Sequence, residues 1–156
     1  MVVSSWKGQS GGVRRIEFPG EAAGANQTMR LPSLLPILHV KSGLDLFGIG
    51  IQQDTRCQHW FSDLDVIAIK FKCCGKYYPC YSCHESVADH PAKRWKQDEF
   101  DEKAILCGKC GTQLTISKYL SSNNVCSNNE CQCNFNPGCA KHYDIYFDVS
   151  IDPDLP

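Results

Sequence analysis

Fifteen side chains between residues 57 and 142 have the chemistry to bind a metal or to act as nucleophiles. They are Cys57, His59, Cys73, Cys74, Cys80, Cys83, His84, His90, Cys107, Cys110, Cys126, Cys131, Cys133, Cys139 and His142. Two pairs, Cys80/Cys83 and Cys107/Cys110, have the two-residue spacer that lets one tight turn bring two thiolates to about 2.3 Å from a single zinc ion. The chain of 156 residues carries eleven cysteines, and a full set of disulfides would leave one thiol over. A metal reading tolerates any parity, because histidines complete the ligand sets. The Cys-x-His, Cys-Cys and Cys-His neighbours serve a metal better than a disulfide, and the twin nine- or three-residue spacings of disulfide-linked helical hairpins are absent from the sequence. Three tetrahedral zinc sites need twelve ligands, and the order from Cys57 to Cys131 supplies nine cysteines and three histidines.

The elements that carry these residues constrain how they are shared. Val66-Ile67-Ala68-Ile69-Lys70-Phe71-Lys72 is rich in β-branched residues and alternates, with Ile67, Ile69 and Phe71 on one face, so it reads as a strand running into Cys73 and Cys74. Neighbours on a strand point to opposite faces, which predicts that these two thiols serve different ions. Cys83 to His90 reads as a short helix stopped before Pro91. At the start of that helix Cys83 and His84 are about 100° apart and turn toward different metals. The sites are therefore expected to interleave along the chain. One grouping meets these constraints with three cysteines and one histidine per ion: Cys57, His59, Cys80 and Cys83; Cys73, His84, Cys107 and Cys110; Cys74, His90, Cys126 and Cys131. Cys133, Cys139 and His142 remain over, as further ligands, as reactive thiols or as inert residues.

Two more elements are expected. Thr115 opens a helical turn through Leu120, and the alternation of apolar and acidic residues over Tyr143–Val149 predicts a final, half-buried strand. Residues 1–39 contain no cysteine and are rich in Gly, Ser, Ala and Pro, a composition that cannot offset chain entropy by burial. They are expected to form a flexible arm ahead of a domain at 40–149, with 150–156 as a short tail. The fold class expected is small α+β, stapled by zinc because so little regular structure supports the core.

Composition excludes several classes. No apolar run approaches the roughly 20 residues that span a bilayer. The first residues lack the apolar segment of a secretory signal, and Glu17 and Glu21 interrupt an acid-free presequence helix. The formal charge is −1, and no Lys/Arg run is longer than Arg14-Arg15. Nine thiolates with three Zn²⁺ would take the protein to about −4, which opposes binding to nucleic acid. No HExxH or comparable helix-borne set signals a catalytic zinc, and the reading is non-enzymatic.

The segments Thr55-Arg56-Cys57-Gln58-His59-Trp60, Phe71-Lys72-Cys73-Cys74, Tyr77-Tyr78-Pro79-Cys80-Tyr81-Ser82-Cys83-His84, Asp89-His90, Cys107-Gly108-Lys109-Cys110 and Phe135-Asn136-Pro137-Gly138-Cys139 together resemble the CHY-type zinc finger. The resemblance covers about Val40 to Val149. It implies three Zn²⁺ ions held by Cys57, His59, Cys73, Cys74, Cys80, Cys83, His84, His90, Cys107, Cys110, Cys126 and Cys131. The late pair here is Cys126-x4-Cys131 where the family usually has a two-residue spacer, and the offset to Phe135 favours Cys131 over Cys133. The family includes ubiquitin ligases with a RING, but no cysteine follows Cys139 to build one.

The resemblance is thus to the small stand-alone fungal members of the mitochondrial intermembrane space. It implies a monomeric zinc-binding accessory role in assembly of the small Tim chaperones, with the oxidoreductase import receptor or the small Tim proteins as partners. The competing expectation is a cytosolic protein-interaction module related to the ligases.

Overall fold

The computed structural model describes residues 37–149. Six short strands form one sheet: β1 (Ile37–His39), β2 (Asp45–Phe47), β3 (Ile67–Lys70), β4 (Tyr77–Tyr78), β5 (Lys103–Cys107) and β6 (Gln113–Thr115). Their spatial order is β1-β2-β4-β3-β5-β6. β2 and β4 pair in parallel through Leu46 and Tyr77, and every other pairing is antiparallel. Helices α1 (Tyr81–Val87), α2 (Ile116–Leu120) and α3 (Tyr143–Tyr146) and 3₁₀ turns at Gln97–Glu99 and Pro137–His142 are the other elements among the described residues. The architecture is the expected small α+β fold with little regular structure. No helix among the described residues is long and apolar enough to cross a membrane.

β3 is buried through Ile67, Ala68 and Ile69, because the two sides of the sheet feed two clusters. Ile67, Ile69 and Phe71 join the larger one with Tyr78, Ile105, Tyr119, Phe135 and Phe147. Ala68 and Leu106 join a smaller one with Val40, Leu46 and Tyr77. The larger cluster also contains Cys57, Cys80, Cys83, Cys107 and Cys126. A core that depends on thiols for its packing needs something to hold those thiols together.

Two of the hairpin turns are built alike. Phe71 N–H donates to Lys76 O at 2.9 Å and Gly75 N–H to Phe71 O at 2.8 Å; likewise Cys107 N–H donates to Thr112 O at 2.9 Å and Gly111 N–H to Cys107 O at 2.8 Å. Gly75 (φ 69°) and Gly111 (φ 76°) fill the same left-handed position, where a side chain is disfavoured. The two turns present the cysteines of Phe71-Lys72-Cys73-Cys74-Gly75 and Cys107-Gly108-Lys109-Cys110-Gly111 from the end of a strand.

Several expectations change. The strand expected over Val66–Lys72 stops at Lys70, where the turn begins. The helix expected from Cys83 starts at Tyr81, with Cys80 as its N-cap and the Cys80 sulfur accepting from Cys83 N–H at 3.4 Å. Thr115 caps α2 as expected, accepting from Lys118 N–H. The tail is not a strand: Tyr143–Tyr146 is helical, with a single bridge from Phe147 to Trp95. Helical spacing brings Tyr143, Tyr146 and Phe147 to the core together, and Tyr146 meets Phe71 with ring centroids 5.7 Å apart. Ile37–His39, which the sequence groups with the arm, form β1 against β2. The rest of that arm, 1–36, and the tail 150–156 lie outside the described residues.

Candidate metal centres

Twelve Cys and His residues gather into three groups, each with its ligand atoms all within 4.8 Å of one another. A tetrahedral zinc with sulfur at about 2.3 Å has sulfur–sulfur edges of about 3.8 Å, which is the scale to compare with.

The first group is Cys57, His59, Cys80 and Cys83, as the sequence grouping has it. The loop before β3 supplies the Cys-x-His pair, and the N-terminus of α1 supplies the Cys-x2-Cys pair. Cys57 Sγ lies 3.7 Å from Cys80 Sγ, and His59 Nδ1 lies 3.3 Å from Cys83 Sγ and 3.6 Å from Cys80 Sγ. Space for this group is made by Gly48 just after β2. A Cβ there would sit 2.7 Å from Cys83 Sγ.

The second group is Cys73, Cys74, His84 and His90, which overturns the expectation that Cys73 and Cys74 serve different ions. The alternation argument fails because these residues lie in the turn after β3, where their sulfurs are 3.9 Å apart. His84 does turn away from Cys80 and Cys83, and its Nε2 lies 3.2 Å from Cys73 Sγ. The His84 ring is fully buried and stacks on Phe71 with centroids 4.3 Å apart. His90 Nδ1 is 2.9 Å from the Asp89 carboxylate, and its Nε2 is buried with no hydrogen-bond partner. A buried, unpartnered imidazole nitrogen facing two thiols, with its other nitrogen fixed by a carboxylate, is the arrangement of a metal-ligating histidine.

The third group is Cys107, Cys126, Cys131 and Cys133, all cysteine. Cys107 ends β5, and the other three come from the loop after α2. Cys107 Sγ is 3.5 Å from Cys133 Sγ and 4.0 Å from Cys131 Sγ. Cys110, which the sequence assigns as a ligand, stands at the edge with its sulfur 3.8 Å from Cys126 Sγ, and it is exposed. Cys133, which the sequence leaves over, is inside the group. Neither Cys110 nor Cys107 joins Cys73 and His84, and neither Cys126 nor Cys131 joins Cys74 and His90. The signal for Cys133 is the pairing of its loop across Val125 and Asn134, with Cys126 N–H donating to Cys133 O at 2.9 Å. A contact of that kind is not a spacing rule.

Each group shows the electrostatics of thiols packed together. Hydrogen bonds from Cys80 and Cys83 hold the Cys57 thiol down to about 2, and the bond to Cys57, with burial, pushes Cys83 up to about 11 against the opposing bond from Cys80. In the second group burial pushes Cys73 up; burial also opposes ionisation of Cys74, but the Lys76 N–H and the neighbouring His90 and Tyr78 side chains outweigh it. In the third, burial pushes Cys126 up to about 12 and Cys133 to about 11, while Thr112 and the neighbouring thiols bring exposed Cys110 down to about 6 against the cost of burial. Like charges this close cannot all ionise alone. A divalent cation removes that conflict, because its ligands bind deprotonated. With Zn²⁺ the groups of three, two and four thiolates carry −1, 0 and −2.

The donor sets, thiolate and imidazole with no carboxylate, and the edges near 3.8 Å fit zinc. Cys139 belongs to none of the groups. It lines a cleft of about 500 Å³ with Tyr119, Tyr143 and Tyr146 beside the first group, and burial pushes its thiol up. His142 is exposed, with its ring 6.4 Å from that of Trp60.

A CHY zinc finger family model matches residues 57–119, a segment that ends before the loop of the third group. Helper of Tim protein 13 of Saccharomyces cerevisiae is 41% identical over 105 residues, covering 65% of this chain and 89% of that protein. Helper of Tim protein 13 of Kluyveromyces lactis is 38% identical over 109 residues, covering 70% of this chain and 93% of that protein. An uncharacterised protein of Schizosaccharomyces pombe is 32% identical over 108 residues, with 69% and 93% covered. With thiols and imidazoles gathered into tetrahedral sets and relatives matched over nearly their whole length, the chain belongs to the CHY zinc finger family, and Helper of Tim protein 13 is among its relatives.

Proposed function

We propose that the protein is a non-enzymatic zinc-binding accessory factor. It assists assembly of the small Tim chaperones in the mitochondrial intermembrane space by acting on the zinc or thiol state of a partner oxidoreductase. The observation that carries the reading is the set of three groups with the edge lengths of zinc tetrahedra. Four protein ligands at an ion leave no open position for a water, which supports a binding rather than a catalytic role. The relatives named Helper of Tim protein 13 supply the link to Tim proteins. Thiolates are both metal ligands and nucleophiles, and six of the eleven cysteines, Cys110 exposed and Cys73, Cys74, Cys131, Cys133 and Cys139 half-buried, are accessible enough to suit exchange with another thiol protein.

Complementation tests this reading. Expressed in yeast that lacks Helper of Tim protein 13, the chain should restore assembly of small Tim complexes on native gels and fractionate with the intermembrane space. A zinc-loaded protein found only in the cytosol, with no restored assembly, would overturn the role and favour an interaction module. Exposed Trp60, Phe61 and Leu64 beside the first group would then be the surface to examine.

A further inference from the structure

The third group differs from the other two in the number of sulfurs around it. Cys107, Cys126, Cys131 and Cys133 already make a complete set of four. Cys110 is a fifth, at 3.8 Å from Cys126 Sγ, the edge length of a zinc–sulfur tetrahedron. Zinc in a structural site takes four ligands, so five sulfurs compete for four positions.

The five arrive from two separate pieces of chain. Cys107 and Cys110 are held by the β5–β6 turn, whose bonds to Thr112 and Gly111 fix it. Cys126, Cys131 and Cys133 lie on the loop between α2 and the Pro137–His142 turn. That loop carries three left-handed non-glycine residues, Asn123, Asn124 and Gln132, with Gln132 directly between Cys131 and Cys133. Cys133 is half-buried on the loop, and Cys110 is exposed on the turn. The two differ in the element that carries them and in their access to solvent, yet each is within a tetrahedral edge of another member of the set.

We propose that the third group is an exchange site in which Cys110 and Cys133 alternate as the fourth ligand of one zinc ion, and that an external thiol takes the ion through the exposed Cys110 position. The internal step is a ligand swap. The zinc–sulfur bond to Cys133 breaks as the bond to Cys110 forms, one proton passes through water from the Cys110 thiol to the Cys133 thiolate, and nothing is oxidised. The outward step repeats it: an external thiol displaces Cys110 from the ion and its proton ends on Cys110, and further thiols of the acceptor displace Cys126, Cys131 and Cys107 in the same way, each passing its proton to the sulfur it replaces. The first two groups have four ligands each and keep their ions. The proposal rests on the reading that these groups hold zinc, and it assigns exchange to one of the three.

The full-length zinc-loaded chain and its Cys110→Ser, Cys133→Ser and doubly substituted variants test it by three readouts. These are ion count by native mass spectrometry, residues alkylated by brief N-ethylmaleimide treatment, and zinc release to dithiothreitol followed with a colorimetric chelator. Expected are three ions in the wild type and in each single variant, and two in the double variant. Wild-type alkylation, besides Cys139, should divide between Cys110 and Cys133, and release of one ion should slow several-fold in Cys110→Ser. Loss of the third ion in either single variant, or alkylation on one of the two sulfurs only, would show a fixed ligand and overturn the exchange alone. A wild-type count below three would overturn the zinc reading and the exchange with it.

Discussion

Cys83 and His84 are consecutive residues of α1, yet they belong to different metal groups. Cys83 Sγ faces His59 Nδ1 at 3.3 Å, and His84 Nε2 faces Cys73 Sγ at 3.2 Å. One turn of helix thus bridges the loop before β3 to the turn after it, and ions in both groups would position the helix together. Structural zinc sites contribute about 10–16 kcal/mol of apparent binding free energy at neutral pH, more than the net stability of a small domain. His84→Ala should therefore lose the second ion, weaken the first and lower the melting temperature sharply, whereas His142→Ala should change neither. Zinc counting and thermal unfolding of the two variants check this, and three ions retained in His84→Ala would refute the bridge.

Asp89 fixes the imidazole of His90 by accepting from Nδ1. This hydrogen bond, with smaller help from the neighbouring Cys74, raises His90 above its ordinary value. The charged form is favoured by the fold, so this contribution is complete below the ordinary value and fades as pH rises through the raised one. Zinc needs the neutral Nε2, so protons compete, and affinity at the second group should fall as pH drops through the raised value. Removing the carboxylate in Asp89→Ala takes away the orienting partner. Zinc affinity at neutral pH should drop by about 10- to 100-fold for that ion with the fold retained. Competition with a chelator across pH measures both effects.

Gly48 tests the first group without touching a ligand. An alanine there would put its Cβ 2.7 Å from Cys83 Sγ and 2.9 Å from Cys83 Cβ. Overpacking of this kind costs about 1–3 kcal/mol. Gly48→Ala should lower the melting temperature and weaken the first ion selectively, as read by the order of ion loss in native mass spectrometry under rising chelator. Gly43→Ala supplies the comparison: its φ of 77° strains any side chain, but a Cβ there meets nothing within 4 Å, so it should lower the melting temperature without singling out the first ion.

Removal of all metal should dissolve the packing, because five cysteines of the larger core cluster are ligands of the groups. Near-ultraviolet circular dichroism from the buried Tyr78 and Tyr119 should vanish on chelation and return on adding zinc. A signal that persists in metal-free, reduced protein would show that the core folds without the ions.

The kind of chemistry was readable from residue types, and so was the interleaving, since adjacent helical residues such as Cys83 and His84 cannot face one ion. The detailed grouping was not. Alternation placed Cys73 and Cys74 on a strand, but Gly75 in a left-handed conformation ends the strand at Lys70 and turns both sulfurs to one side. That Phe71–Lys76 and Cys107–Thr112 are the same turn is visible only in their hydrogen bonds. Cys133 joins the third group through cross-loop pairing of Val125 with Asn134, a contact that no spacing rule encodes. At the tail, alternation and helical spacing both fitted Tyr143–Phe147, and packing of Tyr146 against Phe71 decided for the helix.

Native mass spectrometry of the reduced, zinc-supplied full-length chain, combined with a thiol count on the same sample, tests the central claim most directly. Three bound zinc ions with two alkylatable thiols are predicted, because nine of the eleven cysteines serve as ligands at any moment. A metal-free protein carrying disulfides, or a folded protein with fewer than three ions, would contradict it.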